Sequence, residues 1–310
     1  MPEPTNDRVV AVVVTYRPDL TATSVLLRAL APQVARLVVV DNGSDPAQVV
    51  ELRTEVDAVG GQLLDLPGNI GIAAAQNLGV ERARSLDARY VLLSDQDSVP
   101  ASDMVCRLVE GIERARAEHG PVAAVGPVTV DERNPGAALL FSDHRWGPRR
   151  ATVPAVEGDL VPATFLIASG CLVDLAALGE IGEMNADWFI DHIDLEWGLR
   201  ARRAGYGLFG VVGAQLEHSL GDRVQRIPGR ERDVHIHSPG RNYYMARNTV
   251  LLVRSGLLPT AWRIGYLAWI TKYSGFYVLA VTPRLRRARL LLRGLADGAR
   301  GRTGALQEDR

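Results

Sequence analysis

The chain of 310 residues is 47% apolar and 23% charged, with a formal net charge of −1. A chain of this length can bury a large core in one or two domains, and its composition is that of a globular enzyme. The near-neutral charge argues against a nucleic-acid-binding protein, and the distant Cys106 and Cys171 argue against a disulfide framework. The polar start MPEPTNDR lacks an apolar signal core, which predicts a cytoplasmic protein.

The first hundred residues alternate between apolar runs and helix-compatible segments. Buried strands are predicted at 8–16, 36–41, 62–66 and 90–94, with helical segments at 21–31 and 46–58 and a Gly-rich loop opening a helix within 67–85. Alternation with short connections predicts an α/β domain built on a mostly parallel, doubly wound sheet. Ligands of such sheets bind at the carboxyl ends of the strands.

Three of the predicted strands end in polar side chains suited to binding a ligand. These are Thr15-Tyr16, Asp41-Asn42 and Asp95-Gln96-Asp97. Asp95 and Asp97 are one residue apart on an extended segment, so their carboxylates can converge on a divalent cation that takes further ligands from a diphosphate. A solvated turn would explain an isolated D-x-D pattern. The two other polar strand ends favour the ligand site.

A second group of candidates follows the strands. Residues 131–160, rich in Pro, Gly and Arg, predict a long loop, and 164–174 predict a strand and a turn. The segment 187–206 predicts a helix with acids in its first turns and arginines in its last. Asp191 and Asp194, three residues apart, would share a face of that helix and are candidates for a general base.

The segment 237–254 predicts a further helix that carries arginines and tyrosines. Arg241, Tyr244 and Arg247 could bind the diphosphate of the donor or of a lipid-linked acceptor, although ordinary surface arginines explain them equally well. Trp188 could stack on a sugar ring, but core packing is the more frequent use of tryptophan.

The remaining sequence has an aromatic, apolar segment followed by a basic one. The apolar segment 262–281 contains Arg263 and Lys272, and its charge-free run is too short to span a bilayer. From Pro283 onward arginines interleave with leucines, which predicts a basic amphipathic helix. We expect these segments to lie at a membrane interface. The alternative is a core-packed helix with a solvated basic tail.

The motifs VVVTY, VVVDNGS, GNIGIAAAQNLG and YVLLSDQDSVP, in this order, resemble those of family 2 of the inverting glycosyltransferases. LLSDQDS, FIDHIDLEWGLRARRAGY and LEHSLGD resemble the bacterial rhamnosyltransferases of that family. The resemblance covers about residues 8–255. It implies the GT-A (nucleotide-diphospho-sugar transferase) fold in a catalytic domain at 1–235, with a nucleotide-binding half at 1–100 and an acceptor half at 101–235. A C-terminal helical extension would occupy 236–310.

The resemblance also implies roles for individual residues. Asp97 and Asp95, completed by His218, would bind Mg²⁺ or Mn²⁺, and an imidazole ligand favours Mn²⁺. Asp191 aligns best with the base, while Asp194 stays an alternative because relatives often carry Glu-Asp where this chain has Asp191-His192. The residues implied in nucleotide binding are Thr15, Tyr16, Asp41, Asn42, Asn69, Gly71, Asn77, Asp95 and Gln96.

The activity implied by this resemblance is transfer of L-rhamnose from dTDP-L-rhamnose, with inversion, to a saccharide acceptor. A polyprenyl-diphosphate-linked intermediate of a cell-surface polysaccharide, met at the inner face of the cytoplasmic membrane, fits the basic C-terminal helices. Alternatives are a UDP-hexose donor with the same mechanism, or a binding module without turnover. A dinucleotide-dependent oxidoreductase is disfavoured because TYRPDL, not G-x-G-x-x-G, follows the first strand. A homodimer is compatible with the sequence.

Overall fold

The computed structural model describes residues 8–128, 139–152, 156–218, 224–225 and 234–307, with the backbone alone at 218, 224–225 and 234–235. The chain divides into two compact units. The first comprises the described residues of Met1–His144, Pro148–Ala186 and Asp194–Ser219, and the second those of Arg145–Gly147, Asp187–Ile193 and Leu220–Arg310. The segments 145–147 and 187–193, which the sequence placed in the catalytic domain, are therefore part of the second unit.

The first unit alternates strands with helices along most of its length. Its strands are β1 (Val9–Thr15), β2 (Arg36–Asp41), β3 (Gln62–Asp65), β4 (Tyr90–Asp95), β5 (Ser98–Pro100), β6 (Val122–Pro127), β7 (Phe141–Ser142), β8 (Arg149–Arg150), β9 (Leu160–Pro162), β10 (Cys171–Asp174), β11 (Gly207–Val211) and β12 (Leu216–His218). Its helices are α1 (Leu20–Leu30), α2 (Pro46–Ala58), α3 (Ile72–Ser85), α4 (Met104–His119), α5 (Leu175–Ile181) and, from its second residue onward, α6 (Ile193–Arg203).

Eight strands form one sheet in the order β3-β2-β1-β4-β10-β6-β11-β9. The neighbours among β3, β2, β1 and β4 are parallel, as are β6 and β11. β10 runs antiparallel between β4 and β6, and β9 is an antiparallel edge strand. The predicted mostly parallel, doubly wound sheet is confirmed. The inserted β10 corresponds to the strand predicted within 164–174.

Close packing of helices on the sheet fixes the strands whose ends carry polar residues. Every residue of β1 is buried, as expected for a β-branched run covered on both faces. Helix α3 approaches β1 so closely that a Cβ built on Gly79 would lie 2.2 Å from Cγ1 of Val12. Asp19 caps the N-terminus of helix α1, and its carboxylate accepts hydrogen bonds from the amides of Thr21 and Ala22. The strand ends are thus held by a packed core.

The second unit is mainly helical. It contains a short antiparallel pair, β13 (Val224–Gln225) and β14 (Val234–His235), followed by α7 (Pro239–Arg254), α8 (Thr260–Ala280) and α9 (Arg284–Ala299). Helices α7 and α9 pack so closely that a Cβ built on Gly294 would lie 2.4 Å from the carbonyl oxygen of Tyr243. A core of Ala246, Ile270, Tyr277, Val281 and Leu291 joins the three helices.

Apolar side chains remain exposed on the two C-terminal helices. On α9, Leu285 is 88% exposed and Leu292 is 67% exposed, and Ile264, Leu267 and Leu279 are exposed on α8. Of the helices in the described residues, none combines the length and hydropathy needed to cross a bilayer.

Candidate active site

The carboxyl ends of β1 and β2 are joined by a buried hydrogen-bond network. Thr15 lies directly opposite Asp41 in the parallel register, and its hydroxyl donates to Oδ1 of Asp41 at 2.9 Å. The amide and hydroxyl of Ser44 donate to Oδ2 and Oδ1 of the same carboxylate at 2.8 and 2.6 Å. Asp41 is fully buried. It therefore fixes the loop after β2, and the sequence reasoning missed its partner Ser44.

The loop after β1 is tied to the acidic motif after β4. The amide of Tyr16 donates to Oε1 of Gln96 at 2.8 Å, and Nε2 of Gln96 donates back to the Tyr16 carbonyl at 3.4 Å. The Tyr16 ring is 39% exposed. Gln96, between the two acids of the motif, thus orders a loop that presents an exposed aromatic ring. Such a ring can stack on a nucleotide base.

The Gly-rich loop before α3 is ordered by two asparagines. Oδ1 of Asn42 accepts from the amide of Ile70 at 2.9 Å, and Oδ1 of Asn69 accepts from the amide of Gly71 at 2.9 Å and from Nδ2 of Asn42 at 3.2 Å. Gly43 has φ of +85°, and a Cβ there would lie 2.4 Å from the backbone of Gly68. Asn42, Asn69 and Gly71 therefore lie together at the loop, and their binding of a nucleotide stays a prediction.

Asn77 lies elsewhere. Its amide nitrogen donates to the carbonyl of Met184 at 2.8 Å, and its oxygen accepts from the Met184 amide at 3.1 Å. Both ends of the side chain are used by the backbone of another segment. The prediction of Asn77 as a nucleotide ligand is therefore corrected to a role in packing α3.

The acidic motif lies where β4 leaves the sheet. Asp95 is the last residue of β4, Asp97 follows in a turn, and both are partly exposed. The next strand, β5, pairs with β12 in a register that sets His218 opposite Ser98. The backbone of the predicted imidazole ligand is thus across from the residue that follows Asp97.

Two carboxylates and a histidine in adjoining positions suit Mg²⁺ or Mn²⁺ in donor chemistry. The His218 side chain lies outside the described part of the chain, so the predicted set of Asp95, Asp97 and His218 stays a prediction. Within the side chains that are described, no three His, Cys, Asp or Glu groups are clustered closely enough to hold a metal.

Asp191 does not share a helix face with Asp194, which corrects the prediction of one helix over 187–206. A short 3-10 turn spans Ala186–Trp188, and α6 begins only at Ile193. Between them Phe189, Asp191 and His192 have φ values of +66°, +68° and +62°. Left-handed backbone costs about 1–2 kcal/mol for each such non-glycine residue. Asp194, by contrast, lies in α6 and its Oδ2 accepts from the amide of Ala168 at 3.2 Å.

Asp191 carries a buried carboxylate, one oxygen of which has no hydrogen-bond donor among the described residues. Its side chain is 4% exposed, and Oδ1 pairs with Nη2 of Arg241 at 2.7 Å. Oδ2 is buried and has no hydrogen-bond partner among the described residues. A buried carboxylate oxygen without a donor is costly unless a bound molecule supplies one. A hydroxyl group is a suitable donor for this oxygen.

The neighbouring His192 is held neutral. Burial lowers the pKa of His192 to about 4, while the charge of Asp191 opposes the shift. Its Nε2 lies 2.9 Å from the hydroxyl of Thr249, and its ring meets the edges of Tyr266 and Trp269 on α8. A neutral imidazole in this position adds no positive charge beside Asp191.

The remaining predicted acceptor residues have structural roles. Arg247 is fully buried, its guanidinium donates to the carbonyls of Trp188 and Gly304 and to Asn248, and it lies over the rings of Tyr243 and Tyr244. Its use as a phosphate ligand is therefore corrected. The Tyr244 hydroxyl accepts from the Leu306 amide at 2.7 Å, and Trp188 is only 5% exposed. Of this group, Arg241 alone contacts a candidate catalytic side chain.

The sequence places Asn248 on one helix face with Tyr244 and does not predict its contact with the segment of Asp191. Asn248 is fully buried, yet it donates to three carbonyls of the segment that carries Asp191. Its signal in the sequence is a pair of polar residues, Arg247-Asn248, in the middle of a predicted helix that also carries Arg241 and Asn242.

The chain is similar in sequence to known proteins. The sequence model described as glycosyl transferase family 2 matches residues 11–170. The dTDP-rhamnosyl transferase RfbF of Shigella flexneri is 28% identical over 300 residues, which cover 96% of this chain and 98% of the relative. The galactofuranosyltransferase GlfT1 of Mycolicibacterium smegmatis is 29% identical over 282 residues, covering 85% of this chain and 90% of the relative.

A solved structure supports the same fold. The crystal structure of GalNAc-T7 with UDP, GalNAc and Mn²⁺ superposes with a TM-score of 0.58 at 12% identity, covering 89% of this chain and 58% of that chain. The chain thus spans little more than half the length of this GT-A protein, and the likeness concerns the fold. The matched model covers slightly more than half of the sequence, including the three polar strand ends. This chain belongs to glycosyl transferase family 2.

Proposed function

We propose that the protein is an inverting rhamnosyltransferase that moves L-rhamnose from dTDP-L-rhamnose to a hydroxyl of a saccharide acceptor. The similarity that runs the whole length of the chain to a dTDP-rhamnosyl transferase supports the donor. The observation that carries the reaction is the buried carboxylate of Asp191, whose Oδ2 has no donor among the described residues.

In this proposal Oδ2 of Asp191 accepts the proton of the acceptor hydroxyl as the hydroxyl oxygen bonds to the anomeric carbon. The bond from that carbon to the diphosphate breaks, and dTDP leaves from the opposite face. Arg241 restrains Oδ1, so that a single oxygen of the carboxylate remains for the proton. His192 is neutral, so Asp191 and Arg241 carry the charges of this group of side chains.

The nucleotide would be bound at the strand ends of the first unit. Tyr16 offers an exposed ring for the base, and Asp95 lies at the position expected to contact the ribose. Asp97 and Asp95, with His218, would hold Mg²⁺ or Mn²⁺, and the GalNAc-T7 structure containing Mn²⁺ supports such a divalent ion. When bound, the ion would stabilise the charge that develops on the departing diphosphate.

Two substitutions test these roles. Asp97→Ala should abolish transfer of radiolabelled rhamnose while leaving the melting temperature nearly unchanged. Asp191→Asn should retain dTDP binding and lose transfer, because an amide cannot accept the proton. If Asp191→Asn transfers normally and Asp194→Asn does not, the base is Asp194. A chain that binds dTDP-L-rhamnose and never turns it over would be a binding module.

A second candidate keeps the mechanism and changes the donor. GlfT1, named as a galactofuranosyltransferase, matches this chain at 29% identity, which shows that a relative transfers another sugar. A UDP-hexose donor is our second candidate. Competition between dTDP and UDP for the same site distinguishes the two. Tighter binding of UDP than of dTDP would indicate that the transferred sugar is a hexose from a UDP donor and not rhamnose.

We further propose that the acceptor is linked to polyprenyl diphosphate and is met at the inner face of the cytoplasmic membrane. Exposed leucines of α9 alternate with Arg284, Arg286 and Arg289, which complements an anionic lipid surface. Sedimentation with phosphatidylglycerol vesicles, but not with phosphatidylcholine vesicles, is the expected result. Leu285→Gln/Leu292→Gln should weaken it, while Val50→Gln, at a site 68% exposed in the first unit, should not.

A further inference from the structure

The segment that carries Asp191 is held in an unfavourable conformation. Phe189, Asp191 and His192 have positive φ, although none of the three is glycine. Such a backbone persists only where surrounding contacts hold it. The direction of the Asp191 side chain depends on this backbone, because φ and ψ set where the Cβ points. The contacts that hold the segment therefore also aim the carboxylate.

One buried side chain donates hydrogen bonds to three carbonyl groups of this segment. Nδ2 of Asn248 on α7 donates to the carbonyls of Trp188 at 3.0 Å, Ile190 at 2.7 Å and Asp191 at 3.0 Å. The amide has two hydrogens for three carbonyl oxygens within four consecutive residues, so at least one hydrogen is shared between two of them. An alanine at 248 would leave all three without this donor.

Arg247 fixes the orientation of that amide. Its Nε donates to Oδ1 of Asn248 at 2.9 Å, so the nitrogen end of the amide must face the segment. Nη2 of Arg247 donates to the Trp188 carbonyl at 2.8 Å. Both side chains are fully buried. Arg247 and Asn248 therefore form a clamp on the backbone around Asp191.

We propose that Asn248 is a positioning residue that aims Oδ2 of Asp191 at the acceptor hydroxyl. The inference rests on the proposed role of Asp191 as the base. Asn248 contacts only the backbone of the segment and acts through Asp191. Loss of the clamp lets the segment relax toward ordinary backbone angles and turns the carboxylate away from its working position. Misplacement of a reacting group by about 1 Å can slow a reaction about 100-fold.

The test compares two buried asparagines of the same helix. Asn248→Ala removes the clamp, whereas Asn242→Ala removes an equally buried asparagine whose Nδ2 donates to the hydroxyl of Tyr273 at 2.7 Å. Transfer of radiolabelled rhamnose from dTDP-L-rhamnose to a lipid extract of the cells that make the protein gives the rate. Calorimetric titration with dTDP gives the donor affinity.

We expect Asn248→Ala to lower kcat about 100-fold and to leave dTDP affinity within about twofold of wild type. Asn242→Ala should lose comparable thermal stability and keep kcat within about threefold. Equal losses of kcat in the two variants would overturn the proposal, as would an unchanged kcat in Asn248→Ala. Asn248→Leu, which is close to asparagine in shape and has no donor, serves if the alanine variant fails to fold.

A double variant separates this inference from the base assignment. If Asn248 acts through Asp191, Asp191→Asn/Asn248→Ala should be no slower than Asp191→Asn alone. A further loss of about 100-fold would contradict positioning. Normal transfer by Asp191→Asn would overturn the base assignment itself. An inactive Asp191→Asn beside a fully active Asn248→Ala would overturn the positioning role alone.

Discussion

The ion pair between Asp191 and Arg241 gives a stability prediction with a definite sign. Arg241→Met removes the charged donor of Oδ1 and leaves the carboxylate with only 4% of its side chain exposed. A hydrogen bond to a charged group contributes about 1.5–3 kcal/mol, and breaking a fully buried pair costs about 3–5 kcal/mol. Because the Arg241 side chain is 35% exposed, the lower range applies. We expect Arg241→Met to lose about 2 kcal/mol.

The companion variant is Asp191→Asn, whose neutral amide is less costly to bury and tolerates positive φ. In the Arg241→Met background, Asp191→Asn should restore about 1 kcal/mol or more, whereas in the wild-type background it should destabilise. Thermal and urea unfolding of the four proteins measure the cycle, with dTDP affinity as a control for the first unit. Equal effects of Asp191→Asn in both backgrounds, or a loss below about 0.5 kcal/mol in Arg241→Met, would refute the ion pair.

Three further predictions concern packing, titration and the corrected nucleotide ligand. Gly79→Ala should lower the melting temperature, with a cost of about 1–3 kcal/mol, because its Cβ would lie 2.2 Å from Val12, whereas Gly179→Ala, with nothing within 4 Å, should not; equal effects would contradict the packing. The pKa of His192 is about 4 in the folded protein and about 6.5 in the unfolded chain. The free energy of unfolding should therefore fall by up to about 3 kcal/mol as the pH falls from 6.5 to about 4. The free energy of unfolding of His192→Phe should therefore fall less steeply between pH 6.5 and 4 than that of the wild type. An identical pH dependence of the two proteins would contradict a buried neutral imidazole at 192. Asn77→Ala should bind dTDP within about twofold of wild type by calorimetry, and a tenfold loss, or 1.4 kcal/mol, would restore its role in the nucleotide site.

The parallel part of the sheet could be predicted because its strands are encoded locally. β1, β2 and β4 are runs of apolar residues with polar ends, and they pair in parallel as predicted. The antiparallel insertion of β10 between β4 and β6 could not be predicted. Its residues have ordinary strand character, and only long-range pairing selects their neighbours and direction.

The strand-end residues of the candidate site were also predictable, whereas the conformation around Asp191 was not. Apolar and charged residues in 187–206 follow a helical pattern, yet Phe189, Asp191 and His192 adopt positive φ. Carbonyls of this segment accept hydrogen bonds from Asn248, which lies 57 residues beyond Asp191 in the sequence. The sequence marked Arg247 as a cation and did not reveal its burial. A buried arginine requires carbonyl acceptors that only the folded second unit brings together.

The most direct test of the central claim is calorimetric titration of the intact chain with dTDP, UDP and NAD⁺, each with and without Mn²⁺. We expect tight binding of dTDP that requires Mn²⁺ and is lost in Asp97→Ala. A preference for UDP would support the nucleotide-sugar site and indicate a UDP-sugar donor in place of dTDP-L-rhamnose. Binding of NAD⁺ alone, or of none of the three, would contradict a nucleotide-sugar site at Asp95-Gln96-Asp97.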